Sequence, residues 1–495
     1  MQSLTGGYRQ AEHLFDAAFG GTANPLKQLG ALAIGLLGLL AATGAVLYVL
    51  LDTSADGAYR SIESLSRARG SAGSLLRGLH RYAADAFMLV TLAHLAREWL
   101  LGRFRGFRWF SWLTGVPLLP LALAAGIVGF WLNWDRLGQF SAVASAEWLD
   151  ALPWLGSPLA RNFLGGVGDR LFSLLVFVHL GLPLLLLFGL WFHLQRLSRP
   201  AVWPRLPLAL GTAAALAALA WLLPVRSQGP ADLATMPRAL ALDWWLLFLH
   251  PLADATSATA AWIGAAALLA GLAALPFLAR RAPVPAAVVD PAHCNGCRRC
   301  ADDCPYGAIA MVPHPNGRRG LQLAQVDAAL CAGCAVCVGA CPSGTPFRVR
   351  ATLATGIDLP QSPLDALRRQ LGDGLAAGRR HVVFGCDHAA RAHALAAPDV
   401  LTLSLPCAGM LPPSFVDFAL RQGAASVVVG GCRAGGCEFR LGQRWTAQRL
   451  AGAREPHLRR SVPPGRWTTA WADAGEEARV AAALASLRHA AGAAA

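Results

Sequence analysis

Charge is scarce in this chain. Only 15% of its 495 residues are charged while 55% are apolar, a balance that excludes an ordinary soluble protein, just as the length argues against a single domain. Cysteine is missing from the first 293 residues, and all twelve cysteines lie between Cys294 and Cys437. The chain therefore divides into a cysteine-free, oily half and a thiol-rich half. No glycine fingerprint follows a strand and opens a helix, which excludes a dinucleotide site and the hydride chemistry that goes with one. No nucleic-acid recognition module accompanies the net charge of +14, and the arginines are scattered. Membrane orientation and anionic lipid explain much of that excess instead.

What is present begins with the oil. Nearly uncharged runs at about 29–51, 82–101, 112–133, 171–195, 207–224 and 259–279 each approach the roughly 20 residues a helix needs to cross a bilayer. Six spans are expected. The first begins too late, runs too long and lacks a small-residue cleavage site, so it reads as a retained helix and not a signal peptide. Six crossings return both termini to one side. Short loops there carry Arg103, Arg105, Arg108, Arg196, Arg199 and Arg205, and the exit from the sixth run carries Arg280 and Arg281. Basic loops stay inside, so this side is expected to be cytoplasmic, although the opposite loop, 52–79, also holds four arginines. A cytoplasmic thiol-rich domain is kept reduced, which favours metal ligation over disulfides.

Two of the apolar runs carry paired imidazoles. His80 and His94 are fourteen residues apart, and so are His179 and His193. At about 100° per residue, fourteen steps return to within roughly 40° of the starting direction and rise about 21 Å. Each helix thus offers two imidazoles on one face, at two depths. One such histidine would be read as a packed polar residue; two helices repeating one spacing argue for ligation. Four imidazoles inside a bundle need partners, and iron in two stacked haems would supply them. Zinc is the alternative, but its usual sites use closely spaced ligands. Gly30 and Gly44, and Gly115 and Gly129, repeat the same spacing. Singly each glycine is ordinary helix packing, but together they match the histidine depths, where a backbone must approach a large flat group. No Cys-x-x-Cys-His occurs, so covalently attached haem is not expected.

The stretches LHRYAADAFMLVTLAHLAREWLLGRFRGFRWFSWLTG, GFWLNWDRLGQFSAVAS and ALPWLGSPLARNFLGG resemble the cytochrome b family of quinol-oxidising bc-type complexes, in its split chloroplast-type form, over about residues 20–200. The resemblance implies that His80 pairs with His179 on one b haem near the outer face. It likewise implies that His94 pairs with His193 on the other, near the cytoplasm, with Arg77 and Arg81 near propionates or simply at the surface. It also implies an outer quinone site, whose counterpart here is ALDWWLLFLHPL with Asp243, Trp244 and Trp245. An aspartate stands where the family carries glutamate, and no proline precedes it. Asp243 keeps a carboxylate able to accept a quinol proton; an interfacial aromatic belt explains the stretch equally well.

In the thiol-rich half, CNGCRRCADDCP from Cys294 and CAGCAVCVGACP from Cys331 are two copies of Cys-x2-Cys-x2-Cys-x3-Cys-Pro. Such a turn points three thiolates at one cube and sends the fourth to its neighbour. The pair resembles bacterial two-cluster ferredoxins, and zinc is a poor competitor. On that basis Cys294, Cys297, Cys300 and Cys341 hold one [4Fe-4S] cluster, and Cys331, Cys334, Cys337 and Cys304 hold the second. HVVFGC, VLTLSLPC and ASVVVGGC are β-branched runs that each end at a cysteine, with helix-like segments between. Alternating strands and helices predict a parallel sheet, whose carboxyl edge would gather Cys386, Cys407 and Cys432, with Cys437 in the following glycine loop. Four thiols at one edge can hold a further metal centre; buried cysteines packed as small hydrophobes account for one or two, not four. PCAGMLPPSFVDFALRQGA and VVGGCRAGGCEFRLGQRWTAQRL resemble the delta subunit family of methyl-viologen-reducing hydrogenases, over about residues 380–450. That resemblance implies a [2Fe-2S] cluster and electron transfer to heterodisulfide-reductase-type flavoproteins. Where that family often shows further cysteines, CDHAARAH has His388 and His393.

The expected fold is multi-domain. An all-α transmembrane bundle of about six spans over 1–280 is followed by a ferredoxin-like α+β domain at 281–350 and a small α/β parallel-sheet domain at 378–455. An Ala- and Arg-rich tail at 456–495 carries no readable motif. The expected function is that of a subunit of a quinone-linked oxidoreductase in the cell inner membrane, with its iron–sulfur domains in the cytoplasm. It would carry electrons between the quinone pool and a cytoplasmic flavoprotein, heterodisulfide-reductase-like or hydrogenase partner. Expected cofactors are two b-type haems, two [4Fe-4S] clusters, one [2Fe-2S] cluster and quinone or quinol; a homodimer is left open and no nucleic acid is expected. Competing readings are a quinol-oxidising, proton-translocating enzyme with bifurcated electron flow, and a membrane anchor or redox sensor.

Overall fold

The computed structural model describes the chain apart from residues 1, 22, 68–69, 154–157, 161, 163–165, 236–238, 279–283, 317–319, 349–351 and 493–495. Arg280 and Arg281, read above as markers at the exit of the last apolar run, lie outside the described residues. Two compact units result: Met1–Ala18 with Ala23–Gln195 and Pro200–Arg281, and Phe19–Thr22 with Arg196–Arg199 and Ala282–Ala495.

The first unit is helical. Its described helices are α1 (Gln2–Phe19), α2 (Leu29–Leu50), α3 (Ala58–Ser66), α4 (Ala72–Leu100), α5 (Trp109–Gly115), α6 (Leu118–Trp131), α7 (Arg136–Asp150), α8 (Asp169–Leu194), α9 (Leu206–Leu222), α10 (Leu249–Ala255) and α11 (Ala258–Leu278). Among the described residues, four stretches are long and apolar enough to cross a membrane: Leu29–Leu50, Gly106–Trp131, Asp169–Leu194 and Ala258–Leu278. The helix α4 starts well ahead of its apolar run because the Ser71 hydroxyl caps it, accepting from the Ser74 N–H at 3.1 Å. Its first turns carry Arg77, Arg81 and Asp85, which hide a helix of 29 residues from a hydropathy reading. Pro117 has no N–H to continue α5, so the run at 112–133 breaks there and resumes as α6.

Leu37, Met88, Leu118, Ala122, Leu186 and Leu246 form one buried core joining α2, α4, α6 and α8. Leu32, Leu36, Ala83 and Leu216 extend it to α9. Opposite that core, α8 presents Phe177, Leu184, Phe188 and Trp191 outward, each 58–71% exposed. A stripe of large apolar side chains at helical spacing is intolerable in water and ordinary in lipid. This half of the chain is a membrane protein.

The second unit opens with an internal repeat of 37 residues. Gly296 and Gly333 take φ of +66° and +63°, and Arg298 and Ala335 take the left-handed values +65° and +57°. Each pair leads into a five-residue helix, α12 (Arg299–Asp303) and α13 (Val336–Ala340), capped by Cys304 and Cys341. Left-handed arginine and alanine cost about 1–3 kcal/mol each, so their recurrence at one place in each copy marks a backbone bent for a purpose. The strands β1 (Val288–Val289) and β4 (Ile357–Asp358) pair antiparallel, as do β2 (Ile309–Pro313) and β3 (Gln322–Val326).

A four-stranded parallel sheet follows, in the order β6-β5-β7-β8, with β5 (His381–Cys386), β6 (Val400–Leu405), β7 (Ser426–Gly431) and β8 (Trp467–Trp471). Around it lie α14 (Leu364–Ala376), α15 (Ser414–Arg421), α16 (Gly442–Leu450) and α17 (Glu477–Gly492). Three strands were expected; the fourth and its helix come from the tail at 456–495. Val480, Leu484 and Leu487 of α17 share a buried core with Val383, Val428 and Ala470 of the sheet. The alternation in TTAW is too short, and the alanine content of α17 too uniform, to stand out in the sequence.

Candidate metal centres

The four histidines of the membrane half each meet one of the four glycines. A Cβ at Gly44 would sit 3.1 Å from His80 Cε1, and one at Gly30 would sit 3.4 Å from His94 Cε1. The corresponding distances are 3.1 Å for Gly129 and His179, and 3.0 Å for Gly115 and His193. Glycine is therefore needed for space: any side chain there would press on the imidazole. Its absence also opens the backbone carbonyl one turn earlier. His179 Nδ1 donates to the Ala125 carbonyl at 3.1 Å, and the carbonyls of Leu40 and Ser111 stand in hydrogen-bonding reach of His80 and His193. In all three cases the acceptor lies four residues before the matching glycine.

Two threonines share this task. The Thr43 hydroxyl donates to the Leu39 carbonyl at 2.8 Å, so its oxygen accepts from His80 Nδ1 at 2.9 Å. Thr114 Oγ1 lies 3.5 Å from His193 Nδ1 and donates to Phe110. With Nδ1 protonated and occupied, the lone pair sits on Nε2, the tautomer a metal-binding imidazole needs. The rings of His94 and His193 are 6.5 Å apart between centroids. Two metal–imidazole bonds of about 2.0–2.1 Å, with a ring radius at each end, span about 6 Å. The donor set, the tautomer and the spacing fit an iron held between two imidazoles. The threonines were missed in the sequence, where the signal was a Thr-Gly pair at 43–44 and again at 114–115.

Arg77 and Arg81 are held by protein groups. Arg77 donates to Ser66 Oγ at 2.6 Å, to Ser227 Oγ at 2.9 Å and to Asn133 Oδ1 at 3.1 Å. Arg81 pairs with Asp85 at 2.5 Å and with Asp243. Asp243 also accepts from the backbone N–H groups of Trp245 at 3.0 Å and Leu246 at 2.8 Å. Both of its oxygens are engaged, so accepting a proton would first mean breaking the Arg81 pair. Trp244 is 69% exposed and Trp245 is 39% exposed, as an interfacial aromatic belt requires. Nearby, His250 is buried and bonds Ser141 Oγ at 3.0 Å through Nε2.

In the second unit the thiols fall into three sets. Cys300 interacts with Cys294, Cys297 and Cys341; burial, then these neighbours, push its thiol up to about 12. Cys337 interacts with Cys304, Cys331 and Cys334 and is pushed well above the ordinary range, chiefly by burial. Those last four cysteines line a single cavity with Ala287 and Ile309. The last cysteine of each motif thus joins the first three of the other. Thiols this deep would stay protonated unless a cation replaced the protons, which is the chemistry of iron binding.

The third set stands at the carboxyl edge of the parallel sheet. Cys386 ends β5, Cys407 follows β6 and Cys432 follows β7. Cys386 and Cys437 each interact with both Cys407 and Cys432, closing a ring of four thiols. The neighbouring Cys407 and Cys432 thiols hold Cys386 and Cys437 well below the usual thiol range and are themselves pushed up. A Cβ at Gly442 would collide with Cys407 Sγ, so α16 begins against the thiols. His388 packs its ring on Phe439, 5.3 Å between centroids, and gives its carbonyl to Cys432. Cys334 of the second set interacts with Cys437 of the third, so the thiol sets adjoin one another in series.

Comparison with known proteins finds matches in three parts of the chain. Residues 17–200 match the family described as Cytochrome b/b6/petB, residues 293–345 the 4Fe-4S dicluster domain, and residues 381–490 the methyl-viologen-reducing hydrogenase, delta subunit. A Cytochrome b from Akanthomyces muscarius is 28% identical over 198 residues, which are 38% of this chain and 51% of that protein. A Cytochrome b6 from Mesostigma viride is 35% identical over 119 residues, 23% of this chain and 54% of that one. The chain spans about half the length of the curated relatives it matches. A solved chain described as Hyperthermophilic respiratory Complex III superposes with a TM-score of 0.42 at 21% identity, covering 50% of this chain and 74% of that one.

Proposed function

We propose that this chain, a cytochrome b-type membrane segment joined to a 4Fe-4S dicluster segment and a hydrogenase delta-subunit-type segment, carries electrons between a cytoplasmic redox partner and the quinone pool. The observation that carries the reading is the one-to-one match of four glycines to four histidines in the first unit, together with thiol sets arranged in series within the second. When bound, haem iron and iron–sulfur clusters supply one-electron carriers. His80 with His179, and His94 with His193, would hold two b haems, and the glycines would admit the flat groups. Thr43 and Thr114 fix His80 and His193 in the ligating tautomer. Cys294, Cys297, Cys300 and Cys341 would hold one [4Fe-4S] cluster, and Cys304, Cys331, Cys334 and Cys337 the other. Cys386, Cys407, Cys432 and Cys437 would hold a [2Fe-2S] cluster.

On this reading α4 and α9 cross the membrane with the four apolar stretches named above, for six spans of the cell inner membrane. The basic loops then keep the iron–sulfur half in the cytoplasm, where it meets a flavoprotein, heterodisulfide-reductase-like or hydrogenase subunit. Replacing His94 with leucine should remove one of two haems from the purified protein. Two haems with unchanged spectra would overturn the assignment. The reading as a quinol-oxidising, proton-translocating bc-like enzyme with bifurcated electron flow needs Asp243 as proton acceptor, and the Arg81 pair speaks against that role.

A further inference from the structure

One guanidinium joins the second thiol set to the third. Arg449, on α16, has a fully buried side chain. Its Nη1 donates to the Gly409 carbonyl at 2.9 Å, and its Nη2 donates to the Val336 carbonyl at 3.2 Å and pairs with Asp303. Each partner is tied to a thiol. Asp303 immediately precedes Cys304, Val336 lies between Cys334 and Cys337, and the Gly409 N–H donates to Cys407 Sγ at 3.4 Å. Arg454 adds a second guanidinium, donating to Asp303 Oδ1 at 2.8 Å. Two cations against one carboxylate leave one positive charge in excess, at a place where Asp303 is only 4% exposed.

An excess buried charge is costly unless an opposite charge faces it. An iron–sulfur cube on four thiolates is anionic and becomes more so on accepting an electron, and charges near it set its potential. We propose that Arg449 is a positioning residue that locks the thiol set of Cys304, Cys331, Cys334 and Cys337 against that of Cys407 and Cys437. We further assign to its charge the raising of the reduction potential of the cube bound there. This rests on the iron–sulfur assignment above. The junction of the two sets then favours the reduced form, so one electron at a time is held where it can pass to either side.

The test is an EPR-monitored redox titration of the full-length, cluster-loaded protein, with iron content and haem absorbance as checks of integrity. In Arg449→Gln the reduced-to-oxidised ratio of that cube at fixed potential should fall about tenfold, which for one electron is a shift of about 59 mV. Asp303→Asn removes the opposite charge and should move the ratio the other way. Arg449→Lys should restore most of the wild-type value, and the haem titrations should not move in any of the three. Full iron content with an unshifted cube in Arg449→Gln, or shifts of the same sign in the glutamine and asparagine variants, would overturn the proposal. If Arg449→Gln loses its iron, the nearly isosteric Asp303→Asn decides alone, and no shift there overturns it. A wild-type protein without cube signals would overturn the underlying assignment instead.

Discussion

Gly115→Val is the sharpest perturbation of the membrane site. A Cβ at this position would lie 3.0 Å from His193 Cε1 and 3.2 Å from Nδ1, inside the ordinary carbon contact of about 3.5–4.0 Å. Valine adds two further carbons on a stiff side chain. Relief requires moving the ring, the helix or both. Overpacking of this kind costs about 1–3 kcal/mol, and pulling His193 from the Thr114 and Ser111 oxygens forfeits about 0.5–1.5 kcal/mol more. A loss of about 1.5–4.5 kcal/mol, at about 1.4 kcal/mol per decade, weakens haem retention about 10- to 1,600-fold. The assay is the haem-to-protein ratio of the purified variant, expected to fall from two per chain to one. Variants should rank by space: Gly115, then Gly44 and Gly129, then Gly30 with its looser 3.4 Å. Gly211, on α9, has nothing within 4 Å, so Gly211→Ala should keep both haems. A Gly115→Val protein with two haems and unchanged midpoints would refute the reasoning.

Two further outcomes follow from the thiol geometry. Cys304→Ser should damage the cluster of Cys331, Cys334 and Cys337 and spare that of its own motif, while Cys341→Ser should do the reverse; EPR of the two variants reads this directly, and damage confined to each variant's own motif would refute the crossed arrangement. In metal-stripped protein, burial holds Cys300 as a thiol up to about pH 12, against an unfolded value of about 8.5. Its folded value is raised, so its contribution to stability is complete below about pH 8.5 and is lost as pH rises towards 12. Thermal unfolding of the stripped protein should therefore occur at lower temperature at pH 10.5 than at pH 8, and an unchanged midpoint would contradict the burial.

Much of the site was legible in the sequence because its signals are periodic or local. A fourteen-residue interval fixes which face and depth of a helix a histidine takes, whatever the helix packs on. The two Cys-x2-Cys-x2-Cys-x3-Cys-Pro runs carry their own bend, and the structure repeats the left-handed residues 298 and 335 within them. Strand ends at Cys386, Cys407 and Cys432 followed from β-branched runs. Other features had no local signal. The ring closed by Cys437, the use of the tail as β8 and α17, and the reach of Arg449 to Asp303, 146 residues away, depend on contacts between distant segments. Asp243 shows the same limit: its neighbours in sequence suggested a proton acceptor, while its partner Arg81, from another helix, decides what that carboxylate is bound to. Composition, spacing and alternation determined by themselves which residue types this protein gathers on one helix face, in one turn or at one strand edge. Which thiol faces which, which carbonyl orients His80, His179 and His193 and where the buried charge lies were decided only by tertiary packing, because hydrogen bonds and ion pairs act over a few ångströms of space irrespective of the chain between.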